Sequence, residues 1–200
     1  MMMASGAGYD LVVVGTSWGG LAALRVLVSR LPASFPLAVT LVQHRHKDSD
    51  ELLCALLQEE TPLDVREVED KMPLEPGRVY VAPSNYHTLV ERGHFSLSTD
   101  APVRFSRPSI DVTFRSAADA YGRRAVGVVL TGANDDGSDG LRRIANGGGM
   151  ALVQDPNTAE SGVMPAAALR AVPAARALPL DALATFIATL PMKMSAPPGR

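Results

Sequence analysis

Cysteine occurs once in this chain of 200 residues, at Cys54. That excludes an internal disulfide and a cysteine-based metal cluster, and it favours a reducing compartment. An excess of one charge is also lacking. The 19 basic and 21 acidic residues leave a formal charge of −2, too small a field to gather nucleic acid or an anionic membrane surface. The opening MMMASGAG has neither the basic nor the apolar region of a signal peptide. No apolar run approaches the ~18 residues that a membrane helix needs. These absences imply a cytoplasmic chain with no nucleic-acid partner and no direct membrane insertion. Internal repeats are missing too, and the one low-complexity tract is the tail SAPPGR.

What is present suits a folded domain, since 46% of the residues are hydrophobic. The expected organisation is a single domain over 10–192, between an N-terminal tail of 1–9 and a C-terminal tail of 193–200. Uninterrupted apolar runs at DLVVVG, LAVTLVQ, AVGVVLTG and MALVQ alternate with the helical spacings of GLAALRVLVSRL, DELLCALLQEE, SIDVTFRSAADAYG and GLRRIANGG. Continuous apolar strands alternating with helices predict an α/β fold: a doubly wound, mostly parallel sheet with helices on both faces. The middle stretch RVYVAPSNYHTLVERGHFSLST departs from this pattern. It reads as short antiparallel strands turning at Pro83-Ser84-Asn85 and Arg92-Gly93, a small hairpin insertion.

The junction VVVGTSWGGLAAL, Val12 to Leu24, joins a strand to a helix through glycines. As a dinucleotide loop it would need a glycine where Ser17 stands, and a carboxylate at the end of the second strand, where the chain has Gln43-His44. Both requirements fail, and the Gly-Lys-Ser/Thr of a phosphate-binding loop is absent as well. The surviving reading takes Gly15-Thr16-Ser17-Trp18-Gly19 as a G-x-S-x-G turn, which lifts a serine hydroxyl above the sheet edge. Taken alone, such a serine also fits a plain turn or a helix cap.

Two further strand ends bear on the choice. His44 stands where the second strand should stop, and the strand from Ala125 runs out into LTGANDDGSDG, with carboxylates at Asp135, Asp136 and Asp139. In an open parallel sheet the carboxyl ends of neighbouring strands share one crevice. Serine, histidine and aspartate converging there form a nucleophile, a general base and an orienting acid. Singly, the histidine fits a surface position and the acids fit helix caps. The histidines at 44, 46, 87 and 94 lack zinc-like spacing, so neither a metal nor a cofactor is expected.

At this point the chain resembles the catalytic domain of the chemotaxis receptor methylesterases, the CheB type. The motifs carrying the resemblance are VVVGTSWGGLAAL, VQHRH, PGRVYVAPSNYHTLV, RPSIDVTFRSAADAYGRRAVGVVLTGANDDGSDGL and QDPNTAESGVMPAAAL, which span roughly residues 10 to 175. The resemblance implies a catalytic triad of Ser17, His44 and Asp136, with His46 left outside it. It implies hydrolysis of glutamate methyl esters on the methylated cytoplasmic domain of chemoreceptors, with glutamine deamidation as a related activity. The amides of Trp18 and Ala133 would face the oxyanion, and Arg107 and Met164 would border the substrate groove. Three departures stand out. Ala133-Asn134 replaces methionine-glycine, Arg45-His46 replaces methionine-proline, and the usual N-terminal receiver domain finds no counterpart in the nine residues before the first strand. A receptor-binding scaffold with weak chemistry, favoured by Ala133-Asn134, and a general small-molecule serine esterase are the competing expectations.

Overall fold

Six consecutive buried residues, Leu11–Thr16, form β1, the strand around which the rest is arranged. The computed structural model describes residues 8–44 and 52–192. After β1 come α1 (Gly20–Ser29), β2 (Ala38–Gln43), α2 (Leu52–Gln58), β3 (Asp64–Glu67) and β4 (Arg78–Val81). The chain continues through β5 (His87–Glu91), β6 (His94–Ser98), α3 (Ile110–Tyr121), β7 (Ala125–Val129) and α4 (Ser138–Asn146). It ends with β8 (Met150–Gln154), α5 (Val163–Ala171), β9 (Arg176–Leu178) and α6 (Leu180–Ala188).

Seven strands pair in the order β3-β4-β2-β1-β7-β8-β9, and every pairing in that sheet is parallel. The chain first winds outward from β1 through β2, then restarts on the other side of β1 with β7. The order therefore reverses at β1, and a doubly wound sheet opens its crevice at such a reversal, beyond the carboxyl ends of the strands.

Alternation along the strands distributes the side chains over two cores. Val12 and Val14 join Leu24 and Leu27 of α1 and Leu183 and Ile187 of α6 on one face. Leu11 and Val13 join Phe114 of α3, Leu141 and Ile144 of α4 and Met164 of α5 on the other. Each such side chain, fully buried, contributes about 1.5–3 kcal/mol.

The hairpin insertion is smaller than the sequence suggests. β5 and β6 pair antiparallel as expected, but Arg78–Val81 leaves the insertion and enters the main sheet, parallel to β2 and β3. The reason lies in its burial. Val79 and Val81 pack into the first core and Tyr80 into the second. A strand covered on both faces belongs inside a parallel sheet, whereas a hairpin exposes one face to water. Tyr80 satisfies its hydroxyl by donating to Pro73 O at 3.0 Å and accepting from Glu75 N–H at 2.9 Å.

Candidate active site

The turn after β1 is tied to the end of β7 by its own backbone. Ser17 N–H donates to Thr131 O at 3.0 Å, and Thr16 Oγ1 donates to the same carbonyl at 2.7 Å. Thr131 Oγ1 returns a bond to Trp18 O at 2.9 Å, and Thr131 N–H is held by Gln154 Oε1 at 2.9 Å. Gly19 then turns the chain into α1 with φ of +75°, and a Cβ at this position would lie 2.6 Å from the Glu160 carboxylate. Both the backbone sign and the space call for glycine.

His44 follows β2 directly, and its N–H donates to Thr16 O at 3.1 Å, which sets it beside the Ser17 turn. Ser17, Trp18 and His44 line one cavity of about 520 Å³, together with Arg25 and Glu160. Trp18 is 66% exposed at its mouth. The His44 ring is mostly buried, and its Nε2 lies 2.8 Å from Asp136 Oδ2. Its Nδ1 lies 3.2 Å from Asn134 Nδ2.

Asp136 is completely buried, yet it is surrounded by donors. Its Oδ1 accepts from Ser109 Oγ, Asp111 N–H and Gly137 N–H, each at 3.0 Å. Its Oδ2 accepts from Ile110 N–H at 2.7 Å as well as from His44. Three of these partners belong to the start of α3, where free N–H groups and the helix dipole favour an anion. Burial by itself pushes the Asp136 carboxyl up. The His44 ring and the Asp111 and Ile110 amides outweigh burial and hold the carboxyl below the ordinary carboxylate value.

The neighbouring acids point elsewhere. Asp135 pairs with Arg104, and Asp139 with Arg104 at 2.8 Å and Arg142 at 2.7 Å. Asp136 alone of the three reaches His44. The backbone N–H groups of Trp18 and Ala133 have no acceptor among the described residues.

Two other sequence-derived candidates lie away from the cavity lining. Arg107 staples its own loop to the loop between β4 and β5, donating to Thr99 O at 2.7 Å and Asp100 O at 3.0 Å in the former and to Asn85 Oδ1 at 2.6 Å in the latter. Met164 is fully buried and packs behind Gly132, to whose carbonyl its N–H donates at 2.9 Å. Arg45 and His46 lie outside the described residues. Sequence reasoning missed Thr131, Gln154, Ser109 and Glu160. Gln154 was findable, because it is a polar residue ending an apolar strand, the same signal that singles out His44. Among the described residues no cluster of histidine, cysteine and carboxylate groups could hold a metal ion.

Residues 12–187 match the family described as CheB methylesterase. A Leptospira interrogans protein with the provisional name protein-glutamate methylesterase/protein-glutamine glutaminase is 41% identical over 183 residues, covering 91% of this chain and 95% of its own. An Anaeromyxobacter dehalogenans protein-glutamate methylesterase/protein-glutamine glutaminase is 42% identical over 89% of this chain, which spans only 52% of that relative. Among solved structures, the CheB methylesterase catalytic domain of Thermotoga maritima superposes with a TM-score of 0.86 at 29% identity, covering 90% of this chain and 98% of that one.

Proposed function

Because the chain belongs to the CheB methylesterase family, we propose that it hydrolyses methyl esters of glutamate side chains on the cytoplasmic helices of chemoreceptors, and deamidates glutamine at the same kind of site. Ser17, His44 and Asp136 carry the reaction in this reading. The Ser17 hydroxyl oxygen attacks the ester carbonyl while its proton passes to His44 Nδ1, the ring nitrogen turned away from Asp136. Asp136 accepts from Nε2–H throughout and stabilises the imidazolium that forms. The imidazolium then gives its proton to the departing methoxide oxygen, methanol leaves, and an acyl-serine remains. Water, deprotonated by the same imidazole, attacks the acyl-serine and releases glutamate. The amides of Trp18 and Ala133 face the carbonyl oxygen and take up its developing charge.

The observation that carries this reading is the 2.8 Å contact between His44 Nε2 and a buried Asp136 carboxylate that four further donors hold in place. Such a carboxylate stays ionised and cannot swing, which is what orienting a general base requires. The cytoplasmic setting follows from the substrate, and no helix among the described residues is long and apolar enough to cross a membrane.

The test is methanol release from methylated receptor fragments, run beside a small chromogenic ester. Ser17→Ala should reduce release to background with the fold intact, because the side chain sits on a turn and makes no hydrogen bond to the described residues. Activity retained within about tenfold of the parent rejects the serine mechanism. Turnover of the chromogenic ester alone favours a general esterase.

A further inference from the structure

The orientation of the Asn134 carboxamide is fixed by its neighbours. Asp136 N–H points at one of its terminal atoms from 3.1 Å. A backbone N–H can only donate, so that atom is the oxygen, and the atom 3.2 Å from His44 Nδ1 is the amide nitrogen. An amide nitrogen also only donates, so Nδ1 must offer a lone pair and the ring hydrogen sits on Nε2. There it donates to Asp136 Oδ2 at 2.8 Å. The bonds close a ring that leaves residue 136 by its main chain and returns by its side chain, and the ring fixes one tautomer of His44.

We propose that Asn134 is a latch on the base: it covers the Nδ1 lone pair, and the Ser17 proton can be taken up only after the carboxamide has swung aside. This rests on the reading of His44 as the general base. When Nδ1 accepts the Ser17 proton, its new N–H meets the Asn134 NH2, donor against donor. Turning the carboxamide over gives Nδ1–H an oxygen but sets the NH2 against Asp136 N–H. No orientation in place satisfies the imidazolium and the loop together, so Asn134 must leave for the proton to move. Leaving is feasible, because Asn134 is only partly buried on a loop between exposed Ala133 and exposed Asp135. In the described structure Ser17 makes no hydrogen bond to His44, and the lone pair it would use is given to Asn134. The latch therefore slows the empty enzyme, and a substrate that displaces the carboxamide frees the base only where an acyl group is bound. Asn134 is a positioning residue here, acting through His44.

The test uses the full chain and a fluorophosphonate probe, whose attack by Ser17 Oγ expels fluoride and forms a phosphorus–oxygen bond, independently of any receptor substrate. Asn134→Ala and Asn134→Gly should each label Ser17 faster by roughly three- to tenfold, the worth of one neutral hydrogen bond. Asn134→Asp should label more slowly, since a carboxylate beside Nδ1 favours a proton there and removes the base. Nitrogen-15 spectra of labelled histidine supply the second readout: the wild-type His44 should show hydrogen on Nε2 and a hydrogen-bonded, unprotonated Nδ1. In Asn134→Ala the Nδ1 resonance should move toward that of a free lone pair. Slower or unchanged labelling in both Ala and Gly variants, with an unmoved Nδ1 resonance, overturns the latch and leaves the triad standing. Labelling that survives Ser17→Ala or is insensitive to His44→Gln overturns the triad, and the latch with it.

Discussion

Asp136 does two jobs with one carboxylate, and they have separable consequences. Towards His44 it is the acceptor that fixes the ring; towards α3 it takes the place of an N-cap side chain, binding the N–H groups of Ile110 and Asp111 and the hydroxyl of Ser109. Asp136→Asn must set an NH2 group against donors whichever way it turns, because both carboxylate oxygens accept only from N–H and O–H groups here. Turnover should fall by a factor on the order of 10⁴, and stability should fall by about 1–3 kcal/mol, the cost of unsatisfied buried donors. Asp135→Asn, on the exposed side of the loop, should change stability by less than about 1 kcal/mol and leave activity nearly intact. The pH dependence has a definite sign. The folded-state carboxyl of Asp136 lies below its ordinary value of 3.8, so its stabilisation is complete above that value and is lost as the pH falls below it. Denaturant melts of wild type and Asp136→Asn should therefore differ most at neutral pH and converge in acid. A constant gap would mean that the carboxylate charge does not hold the start of α3.

At the scale of elements, the strands that build the site were readable and the edges of the sheet were not. β1, β2, β7 and β8 are continuous apolar runs buried on both faces, and such runs announce parallel strands wherever they occur. β3 reads DVRE with alternating exposure and β9 is three residues long. Both are edge strands, kept short or charged so that they do not recruit further strands, and so they carry little hydrophobic signal. β4 was misassigned because its run is only four residues long and adjoins a true hairpin. In the site the same contrast holds. Ser17 and His44 stand out as candidates because serine and histidine at strand ends imply chemistry, whereas residue type alone leaves Asp135, Asp136 and Asp139 equivalent and only the family resemblance singles out Asp136. Thr131 and Ser109 were not legible, because their contribution is hydrogen bonding to backbone and to a carboxylate brought close only by the fold. The turn from β1 into α1 offers a direct check on the element. Gly19→Ala forces a side chain into φ of +75° and to within 2.6 Å of Glu160, at a cost of roughly 1–2 kcal/mol. If the Trp18 amide stabilises the oxyanion, methanol release should fall further than that loss of stability explains. Unchanged release in a destabilised Gly19→Ala protein would remove that amide from the mechanism.

At the scale of the molecule, the reversal of strand order at β1 brings together segments more than 100 residues apart in sequence, such as Thr16 and Thr131, and the loops there must be braced from outside. Arg104 supplies one brace. It sits on a tight turn between Val103 and Ser106, and its guanidinium reaches Asp111 in α3 at 3.3 Å, Asp139 in α4 at 2.8 Å and Asp135 beside the site. Burial pushes the carboxyl of Asp111 up, and the nearby Asp136 adds to this, while Gly140 N–H, Arg115 and Arg104 oppose it. Asp135 is held below its ordinary value chiefly by its bond to Arg104. Arg104→Ala would act on both in the same direction. A raised folded value means that Asp111 is best tolerated below about 3.8 and costs stability as the pH climbs through the folded value, and without Arg104 that cost grows. Asp135 stabilises the fold only above about 3.8, and without Arg104 that gain is lost. The melting temperature of Arg104→Ala should therefore lie close to that of wild type near pH 3 and fall progressively behind it towards pH 7, where leaving the buried Asp111 charge poorly paired costs about 1–3 kcal/mol. High salt should shrink the Asp135 share of the gap and spare the Asp111 share, because screening reaches exposed charges and not buried ones. A gap that is the same at pH 3 and pH 7 would show that Arg104 braces the loops by packing, not by charge.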